Sequence, residues 1–88
     1  MNTKIQFEPV NNIFWVERYG QFRQRIKDWC EQNNAILLYH DTFGQYTRFA
    51  VMPVNWLDLE EQKFYSEAKR LVMMFRLAFD TEILESYR

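Results

Sequence analysis

Apolar residues cover an unusually large part of the circumference of the segment 57–79, LDLEEQKFYSEAKRLVMMFRLAF. At 100° per residue, one broad arc carries the side chains expected to face a core: Leu57, Phe64, Ala68, Leu71, Val72, Phe75, Ala78 and Phe79. The opposite side is polar at first, but Met73 and Leu77 later lie one above the other, with Met74 nearby. The pattern predicts a long helix whose second half needs cover on both sides.

Two shorter patterns precede this segment. Residues 4–10 alternate apolar and polar side chains, which predicts a strand that Pro9 ends. Asn11 and Asn12 can then cap a helix from about Ile13 to Gln32. Spacings of four and three place its large apolar residues on one face: Trp15, Tyr19, Phe22, Ile26 and Trp29.

A hairpin is predicted between the two helices. The runs 35–40 and 46–51 are rich in aliphatic and aromatic residues, and they flank a loop over 41–45 that contains Gly44. If Phe49 and Val51 face inward, the alternate positions lie on the other face of the sheet: Tyr46, Arg48, Ala50 and Met52.

The predicted element order is strand, helix, strand, strand, helix, and the tail over 80–88 is either a last short strand or a fraying helix end. This order indicates one α+β domain over residues 1–88. Two architectures fit it: a ferredoxin-like split βαβ sandwich, or a hairpin packed by two helices.

Composition narrows the class of protein. A chain that is 48% hydrophobic and 18% aromatic is not disordered, and a net charge of −1 gives no sign of a polyanionic partner. Cys30 is the only cysteine, so no intrachain disulfide can form. We find neither a secretory signal nor an apolar run of roughly 20 residues. The sequence therefore predicts no membrane association and a cytoplasmic location, in the host cytoplasm if the protein is viral.

The sequence offers little for catalysis. His40 is the only histidine, and it adjoins Asp41, but neighbouring strand residues point to opposite faces. Cys30 and His40 are the only soft ligands, which is too few for a metal site, and Cys30 is expected to be a buried small hydrophobe. Phosphate-binding, dinucleotide-binding and zinc-protease motifs are absent. We therefore predict no enzyme activity, no cofactor and no metal.

The apolar excess on the long helix indicates a protein interface. We predict a protein-binding module that forms a homodimer or a complex with another protein, with Met73, Met74 and Leu77 in the partner interface. Small regulatory, inhibitory and phage-type accessory proteins have this size. The alternative is a domain that binds single-stranded RNA or DNA on the hairpin, where Tyr39, Tyr46 and Arg48 are residue types that stack on bases.

Overall fold

A computed structural model of the chain describes residues 5–84, which form five strands and two helices. The strands are β1 (Ile5–Glu8), β2 (Ile13–Glu17), β3 (Ala35–Phe43), β4 (Tyr46–Pro53) and β5 (Glu82–Ile83), and the helices are α1 (Arg23–Gln32) and α2 (Glu61–Phe79). Short 3₁₀ turns, Tyr19–Gln21 and Trp56–Asp58, precede α1 and α2. The predicted α+β class is confirmed.

The strands form one mixed sheet in the order β3-β4-β2-β1-β5. All neighbouring strands are antiparallel except β1 and β5, which are parallel. β5 has only two residues, and the backbone N–H of Leu84 extends its pairing by donating to the carbonyl of Phe7 at 2.7 Å. The last strand predicted for the tail is therefore present over Glu82–Ile83, and the prediction beyond Leu84 lies outside the described residues.

The first predicted helix begins ten residues too early. Ile13–Glu17 is a strand, in which Phe14 and Val16 face the core and the intervening side chains face the other way. Asn12 does not cap a helix, because it adopts a positive φ of 58° in the turn between β1 and β2. The element order therefore contains one more strand than the ferredoxin-like prediction, although a hairpin packed by two helices is present.

Both helices pack on one face of the sheet. Phe75 of α2 is fully buried at the centre of the core, where its ring centroid lies 4.5 Å from that of Phe14 and 5.1 Å from that of Trp29. Most of the predicted arc of α2 is buried: Ala68, Leu71, Val72, Phe75 and Phe79. Two members of that arc are exposed. Leu57 precedes α2 and lies in a 3₁₀ turn, and Ala78 lies at the border of the arc in the last turn.

The predicted hairpin is confirmed, with longer strands and a shorter loop. Its turn consists of Gly44 and Gln45 alone, and Gly44 adopts the positive φ of 59° that such two-residue turns require. Phe49 and Val51 face the core as predicted. Between Leu38 and Asp41 the pairing shifts by one residue, so that Tyr39 and His40 together lie opposite Phe49 in a β-bulge.

Candidate functional site

One face of the sheet carries large apolar side chains, yet no helix among residues 5–84 packs against it. We call this surface the open face. It consists of Gln6, Glu8, Ile13, Trp15, Glu17, Ile36, Leu38, Asp41, Phe43, Tyr46, Arg48, Ala50, Met52 and Glu82. The solvent side of an antiparallel sheet is usually polar. A contiguous apolar surface is instead typical of an interaction site.

The bulge in β3 decides which side chains reach the open face. Because Tyr39 and His40 share one partner position, the alternation of the strand is reset by one residue. Asp41 consequently pairs with Arg48, and Phe43 pairs with Tyr46. The backbone of Tyr39 is left-handed with a φ of 57°, an unfavourable conformation for a bulky residue. Such strain is often found where a strand positions functional side chains.

The Arg48 guanidinium lies at the centre of the aromatic part of the open face. Its carbon is 4.5 Å from the ring centroid of Phe43 and 5.5 Å from that of Trp15. Arg48 Nε and Nη2 donate to the two carboxylate oxygens of Asp41 at 2.9 and 3.3 Å. Hydrogen bonding to Asp41 raises the pKa of Arg48 above its ordinary value. The side chain is thus held in place by aromatic rings and by a carboxylate.

Trp15 is fixed in a similar way. Its indole Nε1–H donates to Glu8 Oε1 at 2.9 Å, and its ring lies 6.3 Å from that of Phe43 and 6.4 Å from that of Tyr46, centroid to centroid. These side chains form a cluster with a defined shape. Such preorganisation reduces the entropy lost on binding.

Two of the three residues predicted for nucleic-acid binding belong to this cluster. Tyr46 and Arg48 lie on the open face, as the alternation of β4 predicts. Tyr39 lies in the bulge with 70% of its surface exposed, and within residues 5–84 it has no ring contact with the cluster. Trp15 and Phe43 are not among the predicted residues, because their sequence patterns indicate a helix and a loop. The alternation in IFWVE was the signal for Trp15.

The residues predicted for a partner interface on α2 differ in their exposure. Met73 and Leu77 are 56% and 83% exposed, respectively. Met74 is half-buried against the core, and its sulfur accepts a contact of 3.1 Å from Arg70 Nη1. Met74 is therefore largely covered by its own chain, whereas Met73 and Leu77 lie at the surface.

Other reactive side chains do not converge. The ring of His40 packs edge-on against that of Tyr19, with centroids 5.1 Å apart. This contact is on the side of the sheet opposite the open face, where Asp41 pairs with Arg48. Burial, and then the charge of Glu31, raises the pKa of the Cys30 thiol to about 11. Among residues 5–84, no three His, Cys, Asp or Glu side chains are grouped closely enough to hold a metal ion.

Nor does the same part of the chain contain a helix of the length and apolarity needed to cross a membrane.

The chain matches no family model, and comparisons with curated proteins and with solved structures found no significant match.

Proposed function

We propose that this chain is a non-enzymatic protein-binding module that docks a polypeptide partner on its open face. The observation that supports this most strongly is the cluster of Trp15, Phe43 and Tyr46 around Arg48, on a sheet surface that no described helix covers. Aromatic residues and arginine are the residue types that contribute most to binding at protein interfaces. Leu38 and Met52 extend the apolar surface beyond the aromatic rings.

Charge indicates the kind of partner. Among residues 5–84, the open face carries four carboxylates, those of Glu8, Glu17, Asp41 and Glu82, but only one cation, Arg48. Two copies of this surface would repel each other, whereas a partner with lysine or arginine beside apolar residues would be attracted. We therefore propose a partner segment that is both apolar and basic. The predicted self-association through Met73 and Leu77 is a separate proposal that concerns α2.

The same charges make a nucleic-acid partner the weaker hypothesis. Binding of single strands needs cations that neutralise phosphates, together with free aromatic rings. Here the one cation is already paired with Asp41. Tyr46 remains 39% exposed and could stack on a base, so the experiment must distinguish the two partner classes.

Site-specific photo-crosslinking in the source cells tests the proposal. The photoreactive residue p-benzoylphenylalanine replaces Met52 on the open face or, as a control, Leu57, which is 77% exposed and does not belong to that face. We expect a protein adduct from position 52 alone. It should resist nuclease and disappear when Trp15→Ala is added.

Three results would contradict the proposal. These are an adduct that nuclease destroys, equal adducts from both positions, and an adduct that Trp15→Ala leaves unchanged. Tyr65→Ala is the matched control, because Tyr65 is an exposed aromatic residue on α2 and should not affect crosslinking. A regulatory, inhibitory or phage-type accessory role in the cytoplasm would then be assigned from the partner.

A further inference from the structure

A groove of about 760 Å³ lies between α2 and the turn that joins β1 to β2. It is on the helix side of the sheet, so it is separate from the open face. Phe7, Val72 and Met73 contribute apolar surface to it, and Tyr65 stands at its side. Lys69 and Arg76 are its charged residues, and both are cationic. The volume is within the range of about 300–1,000 Å³ typical of sites for small molecules.

Arg76 is the unusual member of this groove. Its Nε atom is buried and has no hydrogen-bond acceptor. The guanidinium carbon lies 5.6 Å from the ring centroid of Phe7, and no carboxylate among residues 5–84 forms an ion pair with it. Buried polar groups in native proteins nearly always have a partner, and the exceptions call for an explanation such as a missing ligand.

The chemistry of such a ligand follows from the side chains. A guanidinium presents its N–H groups in a planar fork that matches the two oxygens of a carboxylate. The apolar floor beside it, formed by Phe7, Val72 and Met73, suits a hydrocarbon tail. We propose that the groove binds a small amphipathic carboxylate, with its head on Arg76 and its unbranched tail along this floor. Lys69, seven residues before Arg76 on α2, adds a second positive charge.

A small molecule fits this groove better than a peptide. Extended peptides usually bind by pairing with a free row of backbone N–H and C=O groups. One wall here is the helix α2, whose backbone groups bond within the helix. On the other side, Gln6 and Phe7 of β1 are already paired with both β2 and β5. The groove therefore recognises its ligand through side chains.

The proposal is tested by titrating the folded protein with decanoate below its micelle-forming concentration, while following its backbone and arginine Nε–H signals by NMR. We expect shifts at Phe7, Val72 and Met73, and a downfield shift of the Arg76 Nε–H signal as it gains an acceptor. Decanol has the same tail without the charge, and we expect it to bind about ten-fold or more weakly. Butyrate, which lacks the tail, should not bind measurably.

Variants of the groove test separately the binding of the carboxylate head and of the hydrocarbon tail. Arg76→Met should remove most of the preference for decanoate over decanol, with Lys69 accounting for what is left, and it should leave the fold intact because it removes an unpaired buried polar group. Arg70→Met is the matched control on the other flank of α2, where Arg70 pairs with Glu67 and does not line the groove. Val72→Trp should fill the groove and weaken binding of both ligands.

Several results would overturn the proposal. These are the absence of shifts with decanoate, binding of decanol as tight as that of decanoate, and an affinity for decanoate that Arg76→Met leaves unchanged. Tighter binding of a peptide-like carboxylate, N-acetyl-Leu-Leu, would identify a peptide C-terminus as the occupant instead. Shifts confined to the open face would locate the ligand elsewhere.

Discussion

The left-handed residue in the bulge of β3 gives a sharp test of the fold around the open face. Tyr39 has a φ of 57°, which costs a residue other than glycine roughly 1–2 kcal/mol. Glycine removes that strain but loses about 0.5–1 kcal/mol more through backbone entropy. Since Tyr39 is 70% exposed, little apolar contact is lost. Tyr39→Gly should therefore raise the free energy of unfolding by about 0.5–1 kcal/mol, measured by urea denaturation.

Two further variants make the result specific to the bulge. Tyr39→Val places a β-branched side chain in the same left-handed position and should lower the free energy of unfolding by about 1 kcal/mol or more. Tyr65→Gly replaces a comparably exposed tyrosine inside α2, where glycine should destabilise by roughly 0.5 kcal/mol. If Tyr39→Gly destabilised the protein as Tyr65→Gly does, Tyr39 would not be left-handed. The bulge could then not be the feature that turns Asp41 toward Arg48.

Three other predictions concern the core, the surface of α2 and the thiol. Phe75→Ala should lower the free energy of unfolding by about 3–5 kcal/mol in urea, because it removes a fully buried ring that contacts several other rings, whereas Tyr65→Ala should change it little. Leu77→Glu should convert the predicted dimer to a monomer in size exclusion with light scattering, with helical circular dichroism preserved. A monomeric wild type would refute self-association through this surface. At pH 8, Cys30 should react at least about 100-fold more slowly with Ellman's reagent in the folded than in the unfolded chain, because burial raises its pKa from 9.0 to about 11. Between pH 9.0 and about 11 the unfolded chain loses the Cys30 thiol proton while the folded chain keeps it, so the free energy of unfolding should fall as the pH rises through this range. Cys30→Ala should abolish the contribution of this thiol to the fall.

The hairpin and the helix α2 were predictable because their sequence patterns reflect the local geometry of a turn and of a helix. The hairpin of β3 and β4 combines two β-prone runs with a glycine at the position of positive φ. The buried stripe of α2 follows the helical period over about three turns, from Ala68 to Phe79, which leaves little ambiguity. In α2 one periodicity accounts for the buried stripe, and in the hairpin the two runs and the glycine were sufficient to predict the pairing of β3 with β4, although not the bulge in β3.

The helix prediction was wrong over residues 13–22 because a helical and an alternating periodicity coincide there. Trp15, Tyr19 and Phe22 have helical spacing, although Trp15 points to the open face and the other two pack beside the core from the turn before α1. The alternation of Phe14 and Val16 with their neighbours is the pattern that the structure follows. Pairing with β1 on one side and β4 on the other favours the strand, and such tertiary context overrides local propensity.

The candidate site was only partly predictable for the same reason. Tyr46 and Arg48 lie on one strand, so alternation alone places them together. Trp15 joins them through the pairing of β2 with β4, and Phe43 and Asp41 join them only because the bulge shifts β3 by one residue. A one-residue slip exchanges the faces of a strand, and no local signal in the sequence marks where it occurs.

The geometry of β1 determines how the two proposed surfaces relate to each other. Its neighbouring residues Phe7 and Glu8 point to opposite sides of the sheet: Phe7 lines the groove beside Arg76, and Glu8 holds the indole of Trp15 on the open face. The groove and the open face therefore share a strand but no side chain, and a ligand in one does not block the other. Any coupling between them would pass through the backbone of β1 or through the turn that joins β1 to β2, where Asn12 of the groove precedes Ile13 of the open face. Since packed sheets deform little, the two sites should act independently unless binding in the groove displaces β1 itself.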